Sequence, residues 1–512
     1  MKKRSNILIL MSDEHRADVA GFAGDPVVRT PTLDWLAQGG VTFTNAYTPS
    51  PICVPARQCI LAGQYPSTCQ CEGWIGLPPG HLTYASRLGQ YGYRTAAFGK
   101  LHMIGPDQSG GFQSRPVGDV DFGQQQPVVE RWSASLPKDE RNVPGMAKWS
   151  DRKEIERAGP GPDNPHDVHS VEGAVDWIRE TFVGDRYDRH SGDRPQLLQV
   201  GLHDPHYPYQ CDPDLFRYYL PRMKRFAHEE PHDHPFLGLS PWPPEPLQAG
   251  VHLAERDVMR ARAAYYGKVE TMDRHFGKVL QALRDAGEDL DEWIIVYLSD
   301  HGDQVGEHGV WEKQKFFEGS VRIPLVIRAP KFLSPGETIT SNCNAVELFA
   351  TLCDFAGVPV PEGLDGASLC RHVERSPYSS ETAANQPGDL GEVPPSCGSQ
   401  GALKPPKGGT PTEEGSNSPP KKMRVFSGEE EIYSFFLQQG FRNIMVKRGN
   451  LKYQHYEHEE RGILPEVLFD LEKDPGETRN WVDDPAYADS LKTLRASAQK
   501  WRERLAKGKG TG

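Results

Sequence analysis

The stretch Asn6-Ile-Leu-Ile-Leu-Met-Ser12 decides the expected fold, because it is an apolar run that ends in a polar residue. A strand with this pattern is typically buried on both faces, as in a parallel sheet covered by helices. Asp13 follows directly, at the C-terminal strand end where open α/β sheets place their ligands. The stretch therefore predicts the first strand of an α/β domain, with Asp13 at a ligand-binding edge.

Three further predicted strands also end in chemically active side chains. These strands are Arg94–Phe98, Gln196–Leu202 and Glu292–Ser299, of which the last is the most apolar. The side chains that follow them are Lys100, His102, His203, His206, Asp300 and His301. One such residue alone is more simply explained as a helix cap or a salt-bridge partner. Together, at one edge of one sheet, they predict a shared crevice with acid, base and metal-ligand groups.

The two aspartates of this crevice suggest a cation site. Asp13 and Asp300 supply hard oxygen ligands, and His301 adds an imidazole nitrogen, so a divalent metal is predicted. Glu14 is a candidate for a further ligand, and the alternative is that its side chain points to solvent.

A cysteine lies in the Pro-rich stretch Pro49-Ser-Pro-Ile-Cys53-Val-Pro-Ala-Arg57. One interpretation is a buried thiol at a loop-to-helix junction. The other is a nucleophile near a helix N-terminus, where free backbone N–H groups and Arg57 favour an anion. The residue types alone leave both interpretations open.

Composition divides the 512-residue chain into three parts. Strands and helices alternate over residues 1–375, which predicts one catalytic α/β domain with a large, mostly parallel sheet flanked by helices. Its predicted elements include strands over Val41–Tyr47 and Ile323–Arg328, and a helix over 255–286 that is broken at Gly267. Residues 376–428 are rich in Pro, Gly and Ser and predict a linker or disordered insertion. Residues 429–512 predict a smaller C-terminal antiparallel sheet plus helix.

Charge and hydropathy exclude two classes of partner. The chain has 58 basic and 70 acidic residues and no long basic block, which argues against nucleic acid. No apolar run approaches the roughly 18 residues of a membrane span. The start of the chain resembles a secretory signal, but its apolar core is short and Asp13 and Glu14 follow it. With ordinary cysteine usage, we expect a cytoplasmic location. The oligomeric state stays open, and a homo-oligomer is compatible with the sequence.

The pattern Cys53-x-Pro55-x-Arg57, followed by Gly63-Gln-Tyr-Pro66, resembles the modification motif of the sulfatase family. Similar motifs continue along nearly the whole chain apart from the predicted linker: Gly99–His102, Pro205–Tyr209, Ser299–Asp303, Gly306–Lys313 and Leu468–Thr478. The resemblance implies the alkaline-phosphatase-like fold. It also implies a sulfuric ester hydrolase that acts on a small-molecule sulfate ester.

The resemblance assigns roles to the matching residues. Cys53 would be converted to formylglycine by a formylglycine-generating enzyme, and the hydrate of this aldehyde would attack sulfur with help from Arg57. The implied metal ligands are Asp13, Asp300, His301, residue 53 and Glu14. His206 and Lys313 would bind the ester and protonate the leaving oxygen. His102, supported by Lys100, would be the base that releases sulfate, while His203 is a weaker candidate for substrate binding.

Two departures from the usual family pattern keep alternatives open. Glu14 stands where many sulfatases carry a second aspartate, and His301 stands where many carry asparagine. The Asp300-His301 pair also occurs in phosphonate monoester and phosphodiester hydrolases of the same superfamily, so phosphorus esters are an alternative substrate class. The metal is expected to be calcium, with manganese or zinc as alternatives.

The segment Gly99–Phe112 is similar to choline-sulfatase-like enzymes. Trp74, Trp132 and Trp149 could form an aromatic cage for a quaternary ammonium group, or they could anchor the core and loops. An alternative of another class is an inactive binding protein in which Cys53 stays a thiol.

Overall fold

A computed structural model describes residues 4–105, 107–119, 155–184, 194–226, 253–373, 422–424, 430–438, 440–460 and 462–507. The strands in these residues are β1 (Ile7–Asp13), β2 (Val41–Phe43), β3 (Ala46–Tyr47), β4 (Arg94–Gly99), β5 (Ser114–Val117), β6 (Gly159–Pro160), β7 (Gln196–Pro205), β8 (Gln210–Cys211), β9 (Ile294–Ser299), β10 (Arg322–Ile323), β11 (Leu325–Arg328), β12 (Glu337–Ile339), β13 (Cys343–Asn344), β14 (Lys422–Arg424), β15 (Glu431–Gln438), β16 (Phe441–Arg448), β17 (Leu451–His455), β18 (Glu457–His458), β19 (Gly462–Ile463) and β20 (Val467–Asp470).

The helices of the same residues are α1 (Pro31–Gln38), α2 (Cys53–Ala62), α3 (Pro66–Cys69), α4 (Tyr84–Gln90), α5 (Pro165–Phe182), α6 (Pro213–Tyr219), α7 (Glu255–Asp285), α8 (Glu318–Val321), α9 (Leu348–Ala356) and α10 (Ala488–Lys507). Among the described residues, no helix combines the length and the apolar character that crossing a bilayer needs.

The main sheet is large and mostly parallel, as predicted. Its strand order is β14-β12-β2-β11-β9-β1-β7-β4-β5. Only β11 runs against its neighbours β9 and β2. In the centre, Leu8 of β1 pairs with Leu198 of β7 on one side and with Ile295 of β9 on the other. The C-terminal ends of β1, β7, β9 and β4 therefore meet at one edge.

Helices cover both faces of this sheet, which explains why β1 is apolar along its length. Leu8 and Leu10 pack in one core cluster with residues of α5 and α7. Ile7, Ile9 and Met11 pack in a second cluster with residues of α2, α4 and α9. A strand with two buried faces has no position for a solvated side chain until it ends.

The predicted helix break at Gly267 is wrong, because α7 runs without interruption from Glu255 to Asp285. A Cβ atom at position 267 would lie 2.3 Å from Cys211 Sγ and 2.8 Å from Cys211 Cβ. The glycine is therefore explained by the close approach of β8 to the helix rather than by a helix end.

The C-terminal part forms a separate antiparallel sheet with a helix, as predicted. Its order is β19-β18-β16-β17-β20, and β15 pairs with the free side of β16. On one face Trp501 of α10 packs against Phe435 and against Tyr65, which follows α2. Phe436 belongs to a different cluster, together with Phe316 of the loop after β9. The second sheet thus supports two segments that reach the predicted crevice.

The predicted insertion 376–428 lies outside the described residues except at β14. Lys422–Arg424 pair in parallel with β12 at the edge of the main sheet. The predicted domain boundaries at 375 and 428 stay predictions.

Candidate active site

Cys53 is the first residue of α2 and stands at the edge where β1 and β9 end. Its side chain is buried, with 3% of the residue exposed. The sulfur lies 3.2 Å from His301 Nε2 and 3.7 Å from Asp13 Oδ1. The preceding residue, Ile52, is extended, so the first amides of the helix point back toward this position. The structure thus brings the predicted nucleophile to the predicted metal ligands.

Arg57 stands one helical turn after Cys53 and connects the two aspartates. Its Nε donates to Asp300 Oδ2 at 2.8 Å, and its Nη2 donates to Asp13 Oδ2 at 3.0 Å. Two further bonds go to the carbonyl oxygens of Ser12 and Lys100. Burial alone would lower the pKa of Arg57, but Asp300 and Asp13 raise it above its ordinary value. The guanidinium is therefore a fixed cation at the base of the site.

Asp13 presents its two oxygens to different neighbours. Oδ2 accepts from Arg57 and lies 2.9 Å from Lys100 Nζ. Oδ1 faces Cys53 and lies 3.9 Å from His301 Nε2. Burial raises the pKa of Asp13, but the charges of Lys100 and the other nearby cations outweigh it and hold the pKa well below its usual value. The carboxylate is therefore ionised, with one oxygen directed into the site.

A hydrogen bond to the backbone fixes the orientation of the His301 ring. Its Nδ1 lies 3.0 Å from the carbonyl oxygen of Gly302, which can only accept, so Nδ1 carries the proton. Nε2 is then the ring nitrogen directed into the site, 3.2 Å from Cys53 Sγ and 3.8 Å from Asp300 Oδ1. A hydrogen bond of this kind commonly orients a metal-binding histidine.

The donor atoms fit a divalent cation. One ligand atom from each of Asp13, Cys53, Asp300 and His301 lies within 4.8 Å of all the others, and all four residues are buried. The buried atom Oε1 of Glu14 has no hydrogen-bond partner among the residues that the structure describes, although buried carboxylate oxygens are usually satisfied. Carboxylate oxygens with an imidazole nitrogen suit calcium, manganese and zinc to different degrees.

Lys313, His206 and Glu14 form the other wall of the site. Lys313 Nζ lies 2.8 Å from Glu14 Oε2 and 2.6 Å from His206 Nε2. Glu14 is fully buried, so the alternative that it points to solvent is wrong. Burial and, more weakly, Asp303 raise the pKa of Glu14, against the opposing charge of Lys313. Burial and Lys313 lower the pKa of His206, which is therefore neutral near pH 7.

The loop that carries Lys313 is held in an uncommon backbone conformation. Val305, Glu312 and Gln314 all have positive φ angles, of 48°, 57° and 69°. Such angles cost free energy in residues other than glycine and persist only where neighbours fix them. Asp303 Oδ1 accepts from the amides of Val305 and Glu312 at 2.7 and 3.0 Å. Asp303 was not predicted as a site residue, although it ends the Asp-His-Gly-Asp motif.

Lys315 and Tyr207 are two further residues that sequence reasoning missed. Lys315 Nζ donates to the carbonyl oxygens of Trp311 and Lys313, at 3.0 and 2.7 Å. The Tyr207 ring lies 4.1 Å from the His206 ring, and Lys313 Nζ lies 5.1 Å from its centroid. In the sequence, the available signals for these two residues were the position of Lys315 two residues after Lys313 and the position of Tyr207 directly after His206.

Lys100 and His203 line the side of the site near β7, and His102 lies in the turn after β4, two residues after Lys100. Lys100 Nζ lies 3.5 Å from His203 Nδ1, in addition to its contact with Asp13. The amide of His102 donates to Asp119, and the His102 ring lies edge-on to Trp74 at 5.2 Å. Of the three tryptophans considered for an aromatic cage, the other two, at 132 and 149, lie outside the described residues.

Comparison with known proteins finds a matching family model and related sequences. The sulfatase family model matches residues 5–358. The choline-sulfatase of Rhizobium meliloti is 28% identical over 505 residues, which cover 94% of this chain and 83% of that protein. Arylsulfatase K of Danio rerio is 30% identical over 405 residues, which cover 74% of this chain and 70% of that protein.

A solved structure confirms the fold predicted from the sequence. The phosphonate monoester hydrolase of Agrobacterium radiobacter superposes with a TM-score of 0.67, covering 99% of this chain and 96% of that one at 22% identity. At this identity the likeness concerns the fold alone, whereas the family follows from the sequence match across residues 5–358. The chain therefore belongs to the sulfatase family, the hydrolases of sulfate esters.

Proposed function

We propose that this protein hydrolyses sulfate monoesters with formylglycine, made from Cys53, as its nucleophile and with one bound divalent cation. The observation that carries the proposal is the position of Cys53. Its Sγ atom lies at the start of α2, 3.7 Å from Asp13 Oδ1 and 3.2 Å from His301 Nε2. An oxygen nucleophile at this position would stand among fixed charges and candidate ligands.

The cation would be held by Asp13, Asp300 and His301, with residue 53 and Glu14 as further ligands. When bound, a divalent cation supplies Lewis-acid stabilisation of negative oxygen atoms. We propose calcium because carboxylate oxygens dominate the donor set, with manganese and zinc as alternatives because of the nitrogen of His301.

The other residues supply binding, charge and protons. The hydrate of formylglycine supplies one hydroxyl for attack and a second whose deprotonation frees the product. Arg57, Lys100 and Lys313 provide fixed positive charge for the sulfuryl oxygens, an effect typically worth about 3–4 kcal/mol per removed donor.

Lys313 carries the proton that the leaving oxygen needs. Burial lowers the pKa of Lys313, but nearby Cys53 and Glu14 raise it well above its ordinary value. His206 Nδ1 lies 2.7 Å from the carbonyl oxygen of Tyr207, so its neutral Nε2 faces Lys313 as an acceptor. His102 is proposed as the general base on the product side, and His203 as a substrate contact.

One observation favours a second candidate function. The Asp300-His301 pair occupies the site, with His301 Nε2 3.2 Å from Cys53 Sγ. The resemblance drawn from the sequence implies the same residue pair in phosphonate monoester hydrolases of the superfamily. Hydrolysis of phosphonate monoesters or phosphodiesters is therefore the alternative.

A substrate panel tests the proposed function. The protein is co-expressed with a formylglycine-generating enzyme, and conversion is verified by a loss of about 18 Da on the peptide that contains Cys53. Initial rates are then measured with an aryl sulfate, choline sulfate and a phenyl phosphonate monoester. We expect the highest kcat/KM with a sulfate ester. A higher value with the phosphonate would replace the proposal by the alternative. Cys53 that stays a thiol in the presence of the maturation enzyme would favour an inactive binding protein, and no turnover of any of the three esters by fully converted protein would contradict the proposed function.

Metal binding is predicted to stabilise the folded protein. A cation that binds only the folded state at about 100 times its Kd adds about 2.7 kcal/mol to the free energy of unfolding. We expect Ca²⁺ to raise the Tm of EDTA-treated protein, and the Asp300→Asn variant to lose most of this increase. Differential scanning calorimetry with Ca²⁺, Mn²⁺ and Zn²⁺ measures both the effect and the preferred ion.

The control for this prediction is Asp167→Asn. Asp167 is also fully buried, but its carboxylate accepts from the amides of His203 and Asp204 and is not in the donor cluster. This variant should lower the Tm yet keep the increase on metal addition. An equal increase in Asp300→Asn, or no increase with any of the three ions, would contradict the proposed site.

The partners proposed for this protein follow from the same chemistry. They are a small-molecule sulfate ester and, during maturation, a formylglycine-generating enzyme that acts on Cys53. A cytoplasmic location remains the proposal made from cysteine usage.

A further inference from the structure

We propose that Asp119 is a positioning residue that holds the backbone of His102 so that its imidazole is presented to the site. The inference rests on the proposed function in one respect, the role of His102 as a general base. Asp119 follows β5 and is the last residue of the described segment 107–119. Neither the family motifs nor the predicted site includes it.

The Asp119 carboxylate binds two consecutive amides of the turn after β4. Oδ1 accepts from the amide of Leu101 at 2.8 Å, and Oδ2 accepts from the amide of His102 at 2.9 Å. The carboxylate is 3% exposed, so water competes little for these bonds. A buried ionised acceptor forms stronger hydrogen bonds than a neutral one.

The conformation of His102 explains why such a clamp is needed. Its φ angle is +55°, in the left-handed region that residues with a Cβ atom adopt only at a cost. Lys100 and His102 lie on either side of Leu101, so the turn decides how both side chains leave the backbone. Without a fixed acceptor, we expect the turn to relax toward negative φ and to move the imidazole away from Trp74.

Arg115 completes the clamp from β5. Its Nη2 lies 2.7 Å from Asp119 Oδ2 and donates to the carbonyl oxygen of Gly99 at 3.1 Å. Burial raises the pKa of Asp119, but Arg115 and His102 lower it below its ordinary value, so the carboxylate stays charged. The pair therefore binds the turn on both sides, through the carbonyl of Gly99 and through the amides of Leu101 and His102.

The substitution Asp119→Asn tests the clamp with little change of shape. Asparagine replaces one of the two carboxylate oxygens by an NH₂ group, so one of the two amides faces a donor instead of an acceptor. The substitution also removes the charge that pairs with Arg115. The first readout is amide hydrogen exchange of the segment Gly99–Met103 in EDTA-treated protein that keeps Cys53. We expect faster exchange at Leu101 and His102 in Asp119→Asn. Unchanged exchange rates at these two amides would overturn the proposal, regardless of the activity of the matured enzyme.

A matched control is Asp273→Asn. Asp273 is fully buried and also accepts from two consecutive amides, those of Thr32 and Leu33, at 3.1 and 2.8 Å. These amides start α1 rather than the turn after β4. This variant should lower the Tm but leave the exchange of Gly99–Met103 and the kcat of the matured enzyme unchanged.

A double-mutant cycle on the matured enzyme separates positioning from a general structural role. We expect Asp119→Asn to lower kcat by roughly 10²-fold, the order of loss from a misplaced catalytic group, with KM changed by less than about threefold. In the His102→Ala background the same substitution should cause little further loss, because Asp119 acts through His102. Additive losses in the cycle would overturn the proposal. Absence of turnover in the wild type would instead contradict the proposed function, and the exchange experiment would still decide on the clamp.

Discussion

The Cys53→Ala variant is expected to fold normally and to retain less than about 10⁻⁴ of the wild-type turnover of a sulfate ester. Alanine can carry neither a thiol nor the aldehyde derived from it, so the attacking group is absent. The sulfur contacts Asp13 and His301 and forms no disulfide with any cysteine of the described segments. The remaining residues of the crevice keep their ion pairs. Steady-state kinetics on protein with verified maturation measures the loss, and circular dichroism checks the fold.

The control for this prediction is Cys59→Ala on the same helix. Cys59 is fully buried, and its sulfur lies 3.7 Å from that of Cys69, in the cluster that packs against the C-terminal sheet. This substitution should cost about 1–2 kcal/mol of stability through lost packing, with activity kept. Turnover by Cys53→Ala within tenfold of the wild type would mean that another group attacks the ester, and the proposed nucleophile would be wrong.

The sequence predicted the central part of the fold because burial on two faces leaves a clear signature. β1 and β9 are apolar almost to their last residues, and Asp13 and Asp300 come where the apolar run ends. Cys53 and Arg57 could be connected to these strand ends because their spacing is itself a motif. The structure adds that the ligand atoms of the four candidate metal-binding residues lie within 4.8 Å of one another. Their spacing along the chain does not predict these distances.

Strand direction and strand division were not predictable from periodicity. Apolar runs read the same in both directions, so nothing in Leu325–Arg328 shows that β11 is antiparallel to β9. The predicted strand Val41–Tyr47 divides into β2 and β3, which belong to different sheets. The chain changes sheets at Thr44 and Asn45, and this depends on tertiary pairing with the segment around Thr340.

Two of the residues that sequence reasoning missed, Asp119 and Asp303, bind backbone amides of other residues. Asp119 binds the amides at 101 and 102, and Asp303 binds those at 305 and 312. An aspartate in a polar loop has many ordinary explanations, such as a turn or a surface charge. Only the fold shows which amides it faces, so residues of this kind need a structure to be found.

The Arg57→Ala variant is expected to lower kcat/KM by about 10²–10³-fold and to destabilise the metal-free protein by about 3–5 kcal/mol. Its guanidinium is 1% exposed and bridges Asp13 and Asp300, which are fully buried. Removal of the guanidinium takes away the ion pair of Asp300 with Arg57. Asp13 Oδ2 also loses its ion pair with Arg57 but keeps the one with Lys100. A cation bound between the same carboxylates would restore part of that charge balance. The destabilisation should therefore be smaller in Ca²⁺ than in EDTA, as measured by urea denaturation in both.

Arg328→Ala is the matched control, because it removes a buried arginine far from the proposed metal ligands. Arg328 donates to the carbonyl oxygen of Leu290 at 2.9 Å and to Asp291, and its side chain is 8% exposed. Its loss should destabilise the protein equally in Ca²⁺ and in EDTA, since no candidate ligand loses a partner. The two variants together separate the loss of any buried cation from the loss of the one between Asp13 and Asp300. If Arg57→Ala were equally destabilised in both buffers, Asp13 and Asp300 would not bind a cation between them. The proposed metal site beside Cys53 would then be wrong.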